Sequence, residues 1–334
     1  MDERGGVLRR AVGWIDPLVA MIVGVLVLGL LLPASGGVAD VLGTVTRAAI
    51  VLLFFLYGAR MPTTEVLAGL RNWRLQGAML AATYVVFPVF GIVLTFLPDA
   101  VLAPELRTGL LYLTLLPSTV QSSVVFTSIA RGNVAGAICG ATVSNVLGIV
   151  LTPLLVGALI VSTGRHAGEG GGVSQTLMML LVPFVLGQVV ERWIGAWIRR
   201  HKSLTKVTDR ATIVLVAYGA VSEAQVSGTW DGVTAWTLLA LAAVCGVLLA
   251  AMLALTWTGG ARLGLDRADR VALLMCGSKK SLATGLPMAS VLFSPVMAAS
   301  VALPVILFHQ IQLLVCAVLA RRLAGSEPAT AGAS

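Results

Sequence analysis

Long apolar runs separated by short polar gaps repeat along almost the whole chain. A helix crossing a bilayer needs about 20 mostly apolar residues. By that measure the pattern predicts ten spans, at about 15–33, 41–59, 75–97, 106–130, 134–162, 174–198, 209–228, 233–257, 268–292 and 296–320. Arg9 and Arg10 ahead of the first run imitate a secretion signal, but the run from Ile15 to Leu32 is long for a signal core and many runs follow. It is read as the first crossing.

Two spans carry polar residues where the pattern should be apolar. The fourth reads Leu116-Pro117-Ser118-Thr119-Val120-Gln121-Ser122-Ser123, and Pro117 removes a backbone donor and disfavours helix at Leu116. The ninth reads Cys276-Gly277-Ser278-Lys279-Lys280-Ser281, with Gly285 and Pro287 after it. Unpaired backbone groups in hydrocarbon cost several kcal/mol each, so a broken helix persists only where protein or a wet cavity surrounds it. Ten spans divide into five and five, and each break falls on the fourth span of its half. Equivalent breaks are expected to meet, with their half-helix ends aimed at a bound solute or ion. A pair of ordinary proline kinks is the plainer alternative.

Composition agrees with a membrane protein. Of 334 residues, 57% are hydrophobic and 11% charged, against about 25% charged in a soluble domain. Mean hydropathy is +0.94. The net charge of +8 follows the gaps rather than a basic face, which argues against nucleic acid. With the N-terminus inside, Arg4, Arg9, Arg10, Arg60, Arg71, Arg74, Arg131, Arg192, Arg199, Arg200, Lys202, Lys206, Arg210, Arg262, Arg267, Arg270, Arg321 and Arg322 all fall on the inner side. The outer loops hold Arg107 and Arg165, with Asp40, Asp99, Glu105, Glu169 and Asp231. The positive-inside rule therefore predicts an inner (plasma) membrane protein with both termini cytoplasmic.

Charges near the bilayer centre mark function by default. Lys279 lies nine residues beyond Arg270, about 13 Å deeper at 1.5 Å per residue. Its ammonium or that of Lys280 would occupy the place of a transported cation and couple to protons by losing its charge, or bind an anionic substrate directly. Snorkelling is the alternative, and it suits one lysine better than two adjacent ones. His309 and Gln312 share a face of the tenth span, as a proton relay or as packing. Asn145, with Thr142 and Thr152, marks a face of the fifth span. Glu223 near the outer end of the seventh would pair with a lysine, serve as a gate or lie at the interface. Cys139, Cys245, Cys276 and Cys316 sit in apolar runs without metal or disulfide spacing. No Walker loop, H-E-x-x-H or G-x-S-x-G occurs, so no cofactor, metal or catalytic residue is expected.

The stretches Leu116-Pro117-Ser118-Thr119-Val120-Gln121-Ser122-Ser123-Val124, Ala130-Arg131-Gly132-Asn133, Ser144-Asn145 and Leu151-Thr152-Pro153 resemble the bile acid:sodium symporter superfamily, solute carrier family 10. With Gly277-Ser278-Lys279-Lys280-Ser281-Leu282-Ala283 and Phe308-His309-Gln310-Ile311-Gln312, the chain looks like the bacterial branch similar to member 7, over roughly residues 12–323. The resemblance implies an all-α fold of ten transmembrane helices in two inverted five-helix repeats, with broken helices 4 and 9 crossing. It also implies a core of helices 3–5 and 8–10 and a panel of helices 1, 2, 6 and 7. Sodium coupling in the better-known members rests on a glutamate and a glutamine on helix 9; those positions look like Met275 and Lys279 here. Hydroxyl ligands of helix 5 fall on Ala137 and Ala141, while Ser122 and Ser123 keep the polar pair of helix 4. The sodium sites are thus largely dismantled, with a lysine in one. The cysteine of the related arsenite carriers has no counterpart.

The expectation is a symporter-like secondary carrier at residues 15–323, between a cytoplasmic N-terminus (1–14) and a disordered tail (324–334). Its cargo would be a small organic anion, its coupling ion H+ or Na+, its other partner the lipid bilayer. Ser118, Thr119, Gln121, Ser122, Ser123, Asn145, Ser278, Lys279, Lys280, Ser281, His309 and Gln312 would form the central site. The competing class is a non-transporting membrane regulator of calcium homeostasis, as the resemblance to eukaryotic member 7 implies. An intramembrane enzyme around His309 lacks a nucleophile.

Overall fold

The computed structural model describes residues 17–61, 72–161, 173–230 and 232–325. Arg4, Arg9, Arg10, Arg71, Arg165, Glu169, Asp231 and the expected N-terminal segment lie outside them. Every regular element among the described residues is helical. In chain order these are α1 (Pro17–Leu31), α2 (Gly37–Arg60), α3 (Trp73–Leu94), α4a (Pro104–Leu115), α4b (Gln121–Ile129), α5 (Val134–Ile160), α6 (Met178–Arg200), α7 (Lys202–Ser227), α8 (Ala235–Arg262), α9a (Arg267–Gly277), α9b (Leu282–Leu292) and α10 (Pro295–Gly325). Ala324 and Gly325, expected in the tail, continue α10.

Six helices among the described residues, α2, α3, α5, α6, α8 and α10, are long and apolar enough to cross a membrane. The apolar part of α1, Met21–Leu31, is shorter. The fourth and ninth predicted spans each come in two pieces. The seventh begins at Lys202 rather than 209, so its first turns carry Lys202, Lys206, Asp209 and Arg210. The outer faces are apolar: Val247 on α8 is 70% exposed and Leu314 on α10 is 72% exposed. Apolar side chains bared to this extent in mid-helix belong against lipid.

α2 packs along α6, α1 along α7, and α7 also touches α2, α9b and α10. The α2–α6 seam is set by glycine. A Cβ on Gly58 would run into the Phe184 carbonyl, and one on Gly187 into the Phe55 carbonyl. Small residues let backbones approach where lipid supplies no hydrophobic drive between helices. The other helices interlock: α4a lies against α3 and α10, and α9a against α3, α4b, α5 and α8.

Two devices fix α9a. α4b closes in a Schellman turn: Arg131 N donates to Ser128 O at 3.1 Å and Gly132 N to Thr127 O at 2.8 Å. That turn puts Arg131 in the left-handed region, φ 55°. Asn133 N then donates to Ala268 O at 2.9 Å. The Asp269 carboxylate accepts from Asn72 Nδ2 and Asn133 Nδ2, both at 2.7 Å. Asn72 and Asn133 also cap α3 and α5. One carboxylate in the first turn of α9a thereby ties three helix N-termini, where negative charge is favourable.

Candidate functional site

The interruptions at 116–120 and 278–281 meet in the interior. Pro117 ends α4a. Leu113 O, which its missing N–H orphans, takes Leu116 N of its own helix at 3.3 Å, and the five carbonyls that follow find donors from other elements. Leu115 O accepts from Thr152 Oγ1 at 2.8 Å. Pro117 O accepts from Ser281 N at 2.9 Å, and Ser118 O from Asn145 Nδ2 at 2.7 Å. Thr114 O and Leu116 O both accept from Lys280 Nζ, each at 2.7 Å. The last turn of α9a is completed from the other side. Ser118 Oγ donates to Cys276 O at 2.5 Å and Ser123 Oγ to Met275 O at 2.9 Å, while the helix's own C-cap, Ser278, turns its Oγ back to Leu274 O at 2.5 Å. Buried backbone groups must be paired. Each break here supplies part of what the other lacks, so the two hold only together.

Side chains from α5 and α10 brace this joint. Asn145 also donates to Ala141 O at 2.9 Å and accepts from Thr284 Oγ1 at 2.9 Å. Gln312 clamps the Lys280 peptide on both sides: Oε1 accepts from Lys280 N and Nε2 donates to Lys280 O, both at 2.9 Å. Gln312 Nε2 also lies 2.9 Å from His309 Nδ1. The peptide fixes the amide's orientation, so His309 Nδ1 accepts in this arrangement. His309 and Gln312 do share a face. Ser281 caps α9b, accepting from Thr284 N at 3.2 Å.

The two lysines differ sharply in surroundings. Both are buried, Lys279 at 0% and Lys280 at 1% exposure, so neither snorkels to a surface. Lys280 Nζ has three carbonyl acceptors, those above and Thr83 O at 2.9 Å, with the Phe87 ring centre 4.2 Å away. Lys279 Nζ has no hydrogen-bond partner among the described residues and sits 4.4 Å over the Phe126 ring. A buried ammonium with only a ring face leaves its three donors unused, a costly state.

Thr119, Ser122 and Ser123 form a hydroxyl cluster at the start of α4b, Thr119 Oγ1 lying 2.7 Å from Ser122 Oγ and 2.8 Å from Ser123 Oγ. Gln121 is exposed and Ser122 half-buried. Glu223 stands apart on α7; it is half-buried, and its backbone carbonyl accepts from Ser227 Oγ at 2.6 Å. Among the described residues no lysine or arginine is bonded to it. Ala137 and Ala141 pack with Leu75, Met79 and Cys276, and Met275 with Ala130 and Cys316. Two apolar grooves, of about 790 and 550 Å³, run between α8 and α10 and between α2 and α6; no residue of the interruptions lines either.

Sequence reasoning did not single out Thr83, Thr114, Thr284 or Phe126. Thr284 was within reach, because Ser281 followed three residues later by a hydroxyl is a capping pattern. Phe126 follows Ser122 by four residues, on the same helix face.

Comparison with known proteins places these features in context. Residues 16–325 match the SBF-like CPA transporter family. The uncharacterised Pseudomonas aeruginosa protein PA2026 is 45% identical over 309 residues, 92% of this chain and 93% of its own. An Escherichia coli K12 protein designated a candidate symporter, YfeH, is 42% identical over 308 residues, 92% of each. The sodium/bile acid cotransporter 7 of Mus musculus is 30% identical over 280 residues, 83% of this chain and 82% of its own.

Proposed function

The chain belongs to the SBF-like CPA transporter family, and from that premise we propose that it is a secondary active carrier of a small organic anion. Its relatives bear symporter and cotransporter names rather than enzyme names, and it is a multi-pass membrane protein. The observation that carries the finer reading is the buried Lys279 ammonium, unpartnered among the described residues, beside two interrupted helices that complete one another.

In this reading the anion's charge pairs with Lys279. Thr119, Gln121 and Ser122 supply neutral contacts, and the N-terminal ends of α4b and α9b add positive partial charge. Ser118, Ser123, Asn145, Ser278, Ser281, Lys280 and Gln312 hold the joint rather than the solute, and His309 positions Gln312. Glu223 stays outside the binding set. With Lys279 at 0% exposure, a solute reaches it only if helices move. The moving parts would be a core of α3–α5 and α8–α10 and a panel of α1, α2, α6 and α7, arranged as two inverted five-helix repeats of ten crossings. Both termini would be cytoplasmic in the bacterial inner membrane. By the resemblance, the cation-site positions of sodium-coupled members fall here on Ala137, Ala141, Met275 and Lys279, a set that would favour coupling to protons over sodium.

The test is uptake of a panel of small organic anions into proteoliposomes, with and without sodium and a pH gradient. At least one anion should enter in a gradient-dependent way, and Lys279→Met should slow it at least about tenfold, since a hydrogen bond to a charged group contributes about 1.5–3 kcal/mol. Equal uptake by wild type and variant would end this assignment of Lys279.

A further inference from the structure

Lys280 raises a question the carrier reading does not answer: why a second ammonium is buried beside the first with all three of its donors used. The carbonyls it takes are ones the local sequence orphans. In α3 the segment Ala82–Val86 is a π turn, in which Phe87 N donates to Ala82 O. The next bond of that register, to Thr83 O, would come from residue 88, which is proline and has no N–H. In α4a, Thr114 O would be served by Ser118 N, but Pro117 breaks the helix and Ser118 N donates instead to Ser144 Oγ at 3.1 Å. Leu116 O lies in the break itself, at the negative end of the α4a dipole.

Two prolines on separate helices thus leave three carbonyl oxygens converging on one point, 2.7–2.9 Å from a cation. The Phe87 ring face closes a further side at 4.2 Å. Among the described residues no carboxylate is paired with that cation. Main-chain oxygens that replace a hydration shell are how proteins hold dehydrated monovalent cations, and unwound segments with helix C-terminal ends do so in transporters.

We propose that the carbonyls of Thr83, Thr114 and Leu116 form a monovalent-cation site that the Lys280 ammonium occupies as a tethered ion. The joint between α3, α4a and α9b then needs no dissolved cation to close. A cation that drives transport binds elsewhere, and Lys280 keeps its place through the cycle. A chain lacking the lysine head would take up a free cation of similar size, ammonium or potassium before sodium. This goes beyond the carrier reading and is read by melting rather than flux, so either can fail alone.

Lys280→Met removes the ammonium and keeps most of the stem. Purified wild type, Lys280→Met and Lys279→Met are melted in ammonium, potassium, sodium or choline chloride at one ionic strength. The expected result is a wild type and a Lys279→Met protein indifferent to the salt. Lys280→Met should melt lowest in choline and gain roughly 3 °C or more, saturably, in ammonium or potassium. The proposal is overturned if no small cation restores Lys280→Met relative to choline. It is also overturned if that variant folds in none of the salts, if it melts like wild type in choline, or if wild type shows the same cation response.

Discussion

Lys280 donates to three main-chain carbonyls and Lys279 to none among the described residues. Opposite consequences for stability follow. Removing an uncompensated buried charge relieves its desolvation cost, so Lys279→Met should melt at or above the wild-type temperature although it loses transport. Melting and flux measured on one preparation check this; a variant that loses both in parallel would mean Lys279 is structural. Gln312→Leu strips the Lys280 peptide of the one side-chain partner it has among the described residues and leaves a buried N–H and C=O unpaired. It should cost about 2–6 kcal/mol, at about 1–3 kcal/mol for each of the two groups, visible as a lower melting temperature. The chain alone marked both lysines, because charge at that depth is conspicuous. It did not separate their roles, since that depends on where Thr83 O and Leu116 O end up in space. Pro88, which orphans Thr83 O, sits among apolar residues and gives no sign in the pattern.

At the scale of elements, the interruptions were legible because a proline and a run of hydroxyls stand out in an apolar span. Their junction was an expectation from symmetry, and the bonds Ser118 Oγ to Cys276 O and Ser281 N to Pro117 O now join them. The start of α7 was less legible: hydropathy places a boundary where charges begin, but a helix whose first turns lie outside the apolar layer keeps its hydrogen bonds through them. The α2–α6 seam makes a prediction of its own. Gly58→Leu cannot be accommodated against the Phe184 carbonyl without separating the helices. It should sharply reduce monodisperse protein on size-exclusion chromatography, whereas Gly43→Leu, with open space around it, should not.

On the scale of the whole molecule, a member of a transporter family holds a buried joint of two broken helices and a charged group at 0% exposure, Lys279, beside it. A carrier needs that group to meet each side of the membrane in turn. Ser122, half-buried at the start of α4b beside the hydroxyl cluster, is placed to report it. The four native cysteines are buried and would be replaced first. Ser122→Cys in that background is then treated with a charged, membrane-impermeant thiol reagent, from outside in right-side-out vesicles and from inside in inverted ones. The account predicts modification from both sides, slowed by any transported anion; modification from one side alone, or from neither, would contradict it.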